Sequence, residues 1–358
     1  MEKEDLDLQI GNLKPFIYTD FGNRNITVFF DLHMTLTDGK VLSILSGIKS
    51  CQLCPICGAG PKAFMQTKDV NSAHFKARPD KLKYGISPLH AWIRTLEFVL
   101  NVSYRIEVKK WQIRDENEKK IIEARKKLIQ KRLWTEMGLH VNRPKQSGSG
   151  NMNDGNTARR AFSDVTLFSS ILGFDTDLLH SFHIILIAIS CEYEISALKF
   201  KQYSEKTYSL YMEKYPWYPM SPTLHKILIH GAQIIAASVV PLGCLGESAS
   251  ESRNKYYKSD RRSHARQNSR TNNMADVFQR AIDSSDPFLS SLFLNKRQQQ
   301  NQKKKIPKEV IELLKVPNVE PHSDHLNTSD CSTDTDSDAD SLCDIVQPFD
   351  VQLEVEEC

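Results

Sequence analysis

The motifs "CPIC" at Cys54–Cys57 and "HKILIH" at His225–His230 stand far apart in a chain of 358 residues. C-x2-C spacing lets two thiolates reach one ion from a tight loop, and H-x4-H falls within the range used by zinc-binding histidines. Two sulfur and two nitrogen ligands complete a tetrahedral structural zinc site. A classical finger separates its two pairs by about a dozen residues. Here nearly half the chain lies between them, so a shared ion would staple distant segments of one fold together. Other readings stay open. Cys51 lies three residues before Cys54, so Cys51/Cys54 is an alternative pair. A C-x-x-C can be a redox pair, although that needs a thioredoxin-like context not visible here. His225 and His230 can be ordinary helix residues.

Charge is distributed unevenly along the chain. Twelve of the 44 acidic residues lie from Val316 onward, with no Lys or Arg among them. That leaves 32 acids against 47 bases in the first 315 residues, a net of about +15. A body that basic suggests a polyanionic partner, with nucleic acid the default. The eight cysteines are scattered and form no disulfide framework, which points to a reducing compartment. No apolar leader follows Met1. The most apolar run, Leu178–Cys191, is too short for a membrane span and reads as a buried helix.

Periodicity predicts a mostly helical chain. Ser87–Ile106, Asp115–Gly138, Thr157–Leu172, Asp175–Ile189, Ile195–Lys214, Leu224–Val240 and Asn272–Phe293 read as helices. The prolines of Tyr215–Thr223 interrupt that series. Asn25–Leu45 is rich in β-branched and aromatic residues and reads as two strands, or a strand and a strand-like entry, around Asp38-Gly39. After about Asn295, low hydrophobicity and high charge predict disorder.

"GESASESRNKYYK" (Gly246–Lys258) places Glu247 and Glu251 four residues apart ahead of a basic run. The plain reading is a solvated helix with an i,i+4 charge pattern. The alternative is a metal-binding carboxylate beside a phosphate-binding surface. On the second reading Arg253, Lys255, Lys258, Arg261 and Arg262 face a nucleic-acid backbone, as do Arg159 and Arg160 after the Gly/Asn-rich loop.

Several stretches, in order, resemble one family: "TDGKV", "CPICGA", "YGISPLHAWIR", "GSGNMNDGNTARRAF", "YPWYPMSPTLHKILIHG", "LGESASESRNK" and "AIDSSDPFLSSL". They are similar to the catalytic core of Transib-type DNA transposases, relatives of the vertebrate V(D)J recombination-activating protein. The resemblance runs from about Leu13 to about Phe293. It implies a ribonuclease-H-like catalytic fold with two Asp and one Glu, interrupted before the Glu by a large helical insertion carrying a C2H2 zinc site. On this sequence the second Asp falls on Asp38 and the Glu on Glu251. Glu247 competes with Glu251, and Asp31 with Asp38. The zinc ligands fall on Cys54, Cys57, His225 and His230. The carboxylates would hold Mg²⁺ or Mn²⁺ for phosphoryl transfer on DNA, giving nicking and strand transfer. Transposon-end DNA, a homodimer and a nuclear location are further implications.

The family's first Asp has no counterpart. Asp5, Asp7 and Asp20 lie too close to Asp38 and outside any strand-like run. The expectation is therefore a transposase-like, DNA-cleaving protein that is inactive alone, or a domesticated, non-catalytic zinc-containing DNA-binding or interaction protein. The expected fold class is α+β, mostly α: a partial ribonuclease-H-like fold with a helical zinc-binding insertion and a disordered acidic C-terminal tail. The expected divisions are 1–50 with the second Asp, 51–243 as the insertion, 244–295 around the Glu, and 296–358 as the tail.

Overall fold

Helical spacing of apolar residues, punctuated by well-defined caps, governs most of the chain. The structure, a computed structural model, describes residues 2–19, 22, 24–30, 39–67, 69–142, 153–246, 248–288, 291 and 306–315. Two compact units divide it: Met1–Leu245 with Pro307–Pro317, and Gly246–Ile306 with Asn318–Cys358.

The first unit is built on α4 (Pro88–Ser103). Ser87 caps it by accepting from His90 N, and Pro88 takes the first helical position, where no N–H is needed. Leu89, Trp92, Leu96, Val99 and Leu100 are buried at helical spacing. This helix packs on α6 (Gly155–Ser163), α8 (Thr176–Ser190) and α10 (Pro222–Ala237). Trp92 Nε1 donates to Ser190 Oγ at 2.9 Å, which satisfies the indole at the α4–α8 contact.

α9 (Ala197–Lys214) lies along α10. Gly231 permits their close approach, since a Cβ there would sit 2.7 Å from Phe200 Cε1. α5 (Glu116–Met137) is more exposed, with only Ile129 and Leu133 buried. Asp115 caps its start and Gly138, at φ 63°, ends it. Arg125 then ties it down, donating from Nε to Ser103 O at 2.7 Å and from Nη2 to Leu172 O at 2.9 Å.

Three departures from the sequence reading have local causes. The helix expected over Thr157–Leu172 is two, α6 and α7 (Val165–Leu172). Asp164 ends the first and caps the second by accepting from Leu167 N at 2.9 Å. Of the two strands expected around Asp38-Gly39, the first is β2 (Asn25–Val28), but it pairs backwards with β1 (Phe16–Thr19), antiparallel with Phe16 opposite Val28 and exposed throughout; residues 31–38 lie outside the described residues. Downstream, α2 (Gly39–Leu45) is helical, with Leu42 and Ser46 buried one turn apart. Helical periodicity there outweighs β propensity.

Disorder expected from Lys296 onward does not extend to 306–315. There α13 (Lys308–Leu313) packs on α8 and α9 with Val310 and Leu313 buried. Ser196 N donates to Leu313 O and Lys315 N to Glu194 O, each at 2.9 Å. Two further helices, α1 (Glu2–Gly11) and α3 (Pro61–Gln66), complete the first unit.

The second unit contains α11 (Ser248–Ser259) and α12 (Arg270–Asp283), joined through a π-turn at Asp260–His264. Asp260 Oδ1 accepts from Arg280 Nε at 2.9 Å and pairs with His264 Nδ1 at 3.4 Å. The fold is mostly α, with two antiparallel strands among the described residues. No described helix is long and apolar enough to cross a membrane.

Candidate metal centre

Cys54-Pro-Ile-Cys57 forms a knuckle closed by its own backbone. Cys54 N donates to Ala59 O at 2.7 Å, and Gly58 N to Cys54 O at 2.8 Å. Gly58 has φ +82°, a left-handed conformation that favours glycine. Ala59 N donates to Cys57 Sγ at 3.5 Å. Arg78 clamps the outside of the loop, its Nε reaching Ile56 O at 3.3 Å and its Nη2 reaching Pro55 O at 3.4 Å.

The histidines come from α10, whose start Ser221 caps and Pro222 opens. Both are completely buried. The His225 ring lies 4.4 Å from Phe64 and 4.6 Å from Phe75, centroid to centroid, and 5.3 Å from the His230 ring. Its Nε2 is 3.5 Å from Cys57 Sγ, across 168 residues of sequence.

One ligand atom from each of Cys54, Cys57, His225 and His230 lies within 4.8 Å of all the others. This group can hold a metal ion. His230 Nδ1 is 3.2 Å from Gln233 Oε1, an acceptor that fixes the proton on Nδ1 and leaves Nε2 with its lone pair. That Nε2 is buried and has no hydrogen-bond partner. A buried nitrogen without a partner costs free energy that coordination would recover. Gln233 thus does for His230 what outer partners do for metal-bound imidazoles generally.

The thiols respond in opposite directions. Burial pushes the Cys54 thiol up, reinforced by its neighbour Cys57. The hydrogen bond from Cys54 holds Cys57 well below the usual thiol range, with further help from His225 and His230. Burial also lowers the pKa of His225, which favours the neutral ring that a metal requires. Of the pairs left open by the sequence, Cys54/Cys57 meets the histidines, whereas Cys51 is exposed and outside the cluster. The supporting residues Phe64, Phe75 and Arg78 carry no sequence signal. Gln233, three residues after His230, was findable from helical spacing.

The expected carboxylate and DNA-binding residues are placed differently. Asp38, its competitor Asp31, and Glu247 lie outside the described residues. Glu251 and Lys255 fall on α11. Arg253 is used within the unit: its Nη2 donates to Ala281 O at 3.0 Å and to Ser284 Oγ, and its guanidinium lies 5.5 Å from the Tyr257 ring centre. Lys258, Arg261 and Arg262 are exposed. In the first unit Arg159 is half-buried on α6, while Arg160 reaches Met137 O at 3.4 Å. The sequence reading missed the Arg266–Asp276 pair, in which Asp276 accepts from Arg266 N and Nε at 2.9 Å and from Nη2 at 2.8 Å.

No protein-family model matches this sequence, and a search of curated proteins found no match.

Proposed function

We propose that this chain is a Transib-type transposase-like protein: a DNA-binding chain whose helical body is stapled by a structural zinc ion, with carboxylates for phosphoryl transfer on DNA. The observation carrying this reading is the meeting of Cys54 and Cys57 with His225 and His230, the long-range ligand set that the family resemblance implies.

A Cys2His2 donor set within reach of a single ion suits tetrahedral zinc. Four protein ligands leave no open position, so the role of this ion is structural. It ties the knuckle to α10, where the Phe64 and Phe75 rings pack against His225. Asp38 and Glu251 are the proposed carboxylates for catalysis. Bound Mg²⁺ or Mn²⁺ would supply charge stabilisation on phosphorus and a more acidic attacking hydroxyl. Lys258, Arg261 and Arg262 contribute salt-dependent attraction to the phosphate backbone. Arg253, engaged with α12, positions that segment instead. Transposon-end DNA, homodimerisation and a nuclear location follow from the same reading.

The second reading is a non-catalytic zinc-containing DNA-binding or interaction protein. The two-stranded, fully exposed β1–β2 sheet favours it. Nicking of supercoiled plasmid with Mg²⁺ or Mn²⁺ is the test, using Glu251→Gln as control. On the first reading the chain alone, in which the family's first Asp has no counterpart, binds DNA without cutting it; nicking that Glu251→Gln abolishes would show that Asp38 and Glu251 work without that Asp, and would defeat the second reading. Absence of both nicking and salt-sensitive DNA binding defeats the DNA assignment.

A further inference from the structure

A cleft of about 570 Å³ lies in the first unit, lined by residues of α4, the turn after α4, α5 and Asn142 beyond the end of α5. Three cations line it, Arg94, Arg105 and Lys126, with two carboxylates, Glu97 and Glu123. Arg94 Nη1 pairs with Glu97 Oε2 at 2.8 Å, and Lys126 Nζ with Glu123 Oε2 at 3.5 Å. Each carboxylate therefore has a cation of its own, and Arg105 is the charge left over.

Arg105 is half-buried. Its Nη1 donates to Asn101 O at 2.9 Å, and its guanidinium sits 5.7 Å from the Tyr218 ring centre. Its Nε is buried and meets no acceptor, and no described carboxylate pairs with it. A carbonyl and an aromatic face hold the group in place without neutralising it. Taking a cation partly out of water without a counter-charge is costly, and the usual resolution is a bound anion. A planar guanidinium suits an oxyanion best, because its donors match carboxylate and phosphate geometry. The cleft wall adds an amide beside it: Asn142, held by donating from Nδ2 to Tyr104 Oη at 2.9 Å.

We propose that this cleft binds a small oxyanion, a phosphate or carboxylate group, on Arg105. The site is separate from the Cys/His cluster and from every residue assigned above to DNA, so it stands or falls independently of the transposase reading.

The test uses the full zinc-loaded chain, titrated at constant ionic strength with inorganic phosphate or acetate. The readout is the ¹⁵N shift of the Arg105 Nε–H signal, identified by its loss in Arg105→Gln, together with calorimetric binding. A saturable response at millimolar concentrations is expected, and the anion that saturates first identifies the ligand class. Arg105→Gln should abolish calorimetric binding. If that variant fails to fold, Lys126→Glu, a charge reversal at the rim, should weaken binding about tenfold, the effect of one lost charge-assisted contact. Absence of saturation with both anions overturns the proposal. Unchanged binding in Arg105→Gln, or in Lys126→Glu where Arg105→Gln does not fold, reduces it to an adventitious ion only.

Discussion

The Cys/His cluster and the α11–α12 pair both bring polar residues together, but by opposite means. In the cluster, Cys54, Ile56, Phe64, His225 and His230 are each at most 1% exposed. Ligand positions there are set by packing against apolar walls and by backbone hydrogen bonds of the knuckle. In the second unit, Ala265, Asn273 and Val277 are the buried side chains among the described residues, while Met274, Phe278 and Ile282 stand exposed along α12. Ion pairs and carbonyl contacts organise it. Burial gives a site one geometry before any ligand arrives. Exposed charge gives a surface whose use depends on what meets it.

The largest effect that would break this contrast concerns zinc. Cys54→Ser or His230→Ala should abolish stoichiometric zinc, measured by elemental analysis, and should loosen the first unit in thermal unfolding. Structural zinc contributes on the order of 10 kcal/mol in small zinc domains, so the loss should be plain. Full zinc retention in either variant would remove the assignment.

Next comes a pair of matched truncations. Phe162 is completely buried and Phe278 is 68% exposed. Phe162→Ala should cost about 3–5 kcal/mol in denaturant unfolding, through lost contacts and a cavity. Phe278→Ala should change stability by about 0.5 kcal/mol or less. Similar costs at the two sites would mean that α12 is covered in solution.

Gly231→Ala tests packing beside a ligand. The added Cβ would press on the Phe200 ring, and such overpacking costs about 1–3 kcal/mol. Since Gly231 follows His230 directly, zinc affinity should fall as well. An unchanged unfolding midpoint would show that the α9–α10 contact relaxes freely.

The smallest effect belongs to the ion-paired unit. Hydrogen bonds from the Arg266 side chain and backbone hold the Asp276 carboxyl down to about 2, from 3.8. A folded value below the unfolded one stabilises above the unfolded pKa, and this contribution is lost as pH falls from about 4 towards 2. A carboxyl ¹³C titration should place the Asp276 midpoint near 2. A midpoint in the ordinary carboxylate range would show that the pair with Arg266 does not persist in solution.

Much of this protein was legible locally. Helical periodicity marked α4, α8, α9, α10 and α12, the order of acids before bases marked α5, and Ser87-Pro88 marked the start of α4; Ser221-Pro222, which opens α10, falls instead within the proline-rich interruption read from the sequence. Such signals act within a turn or two of helix, so one sequence window contains them. The Cys and His spacings marked the four side chains of the cluster for the same reason. Tertiary structure decided the rest. It selected Cys57 over Cys51, joined β2 to the strand before it, docked α13 against α8 and α9, and turned Arg253 towards α12. Apart from the β1–β2 pairing, which is local and exposed, those outcomes depend on which distant segments meet. Spacing along the chain carries no record of that, because burial is settled only when segments far apart in sequence compete for the same core.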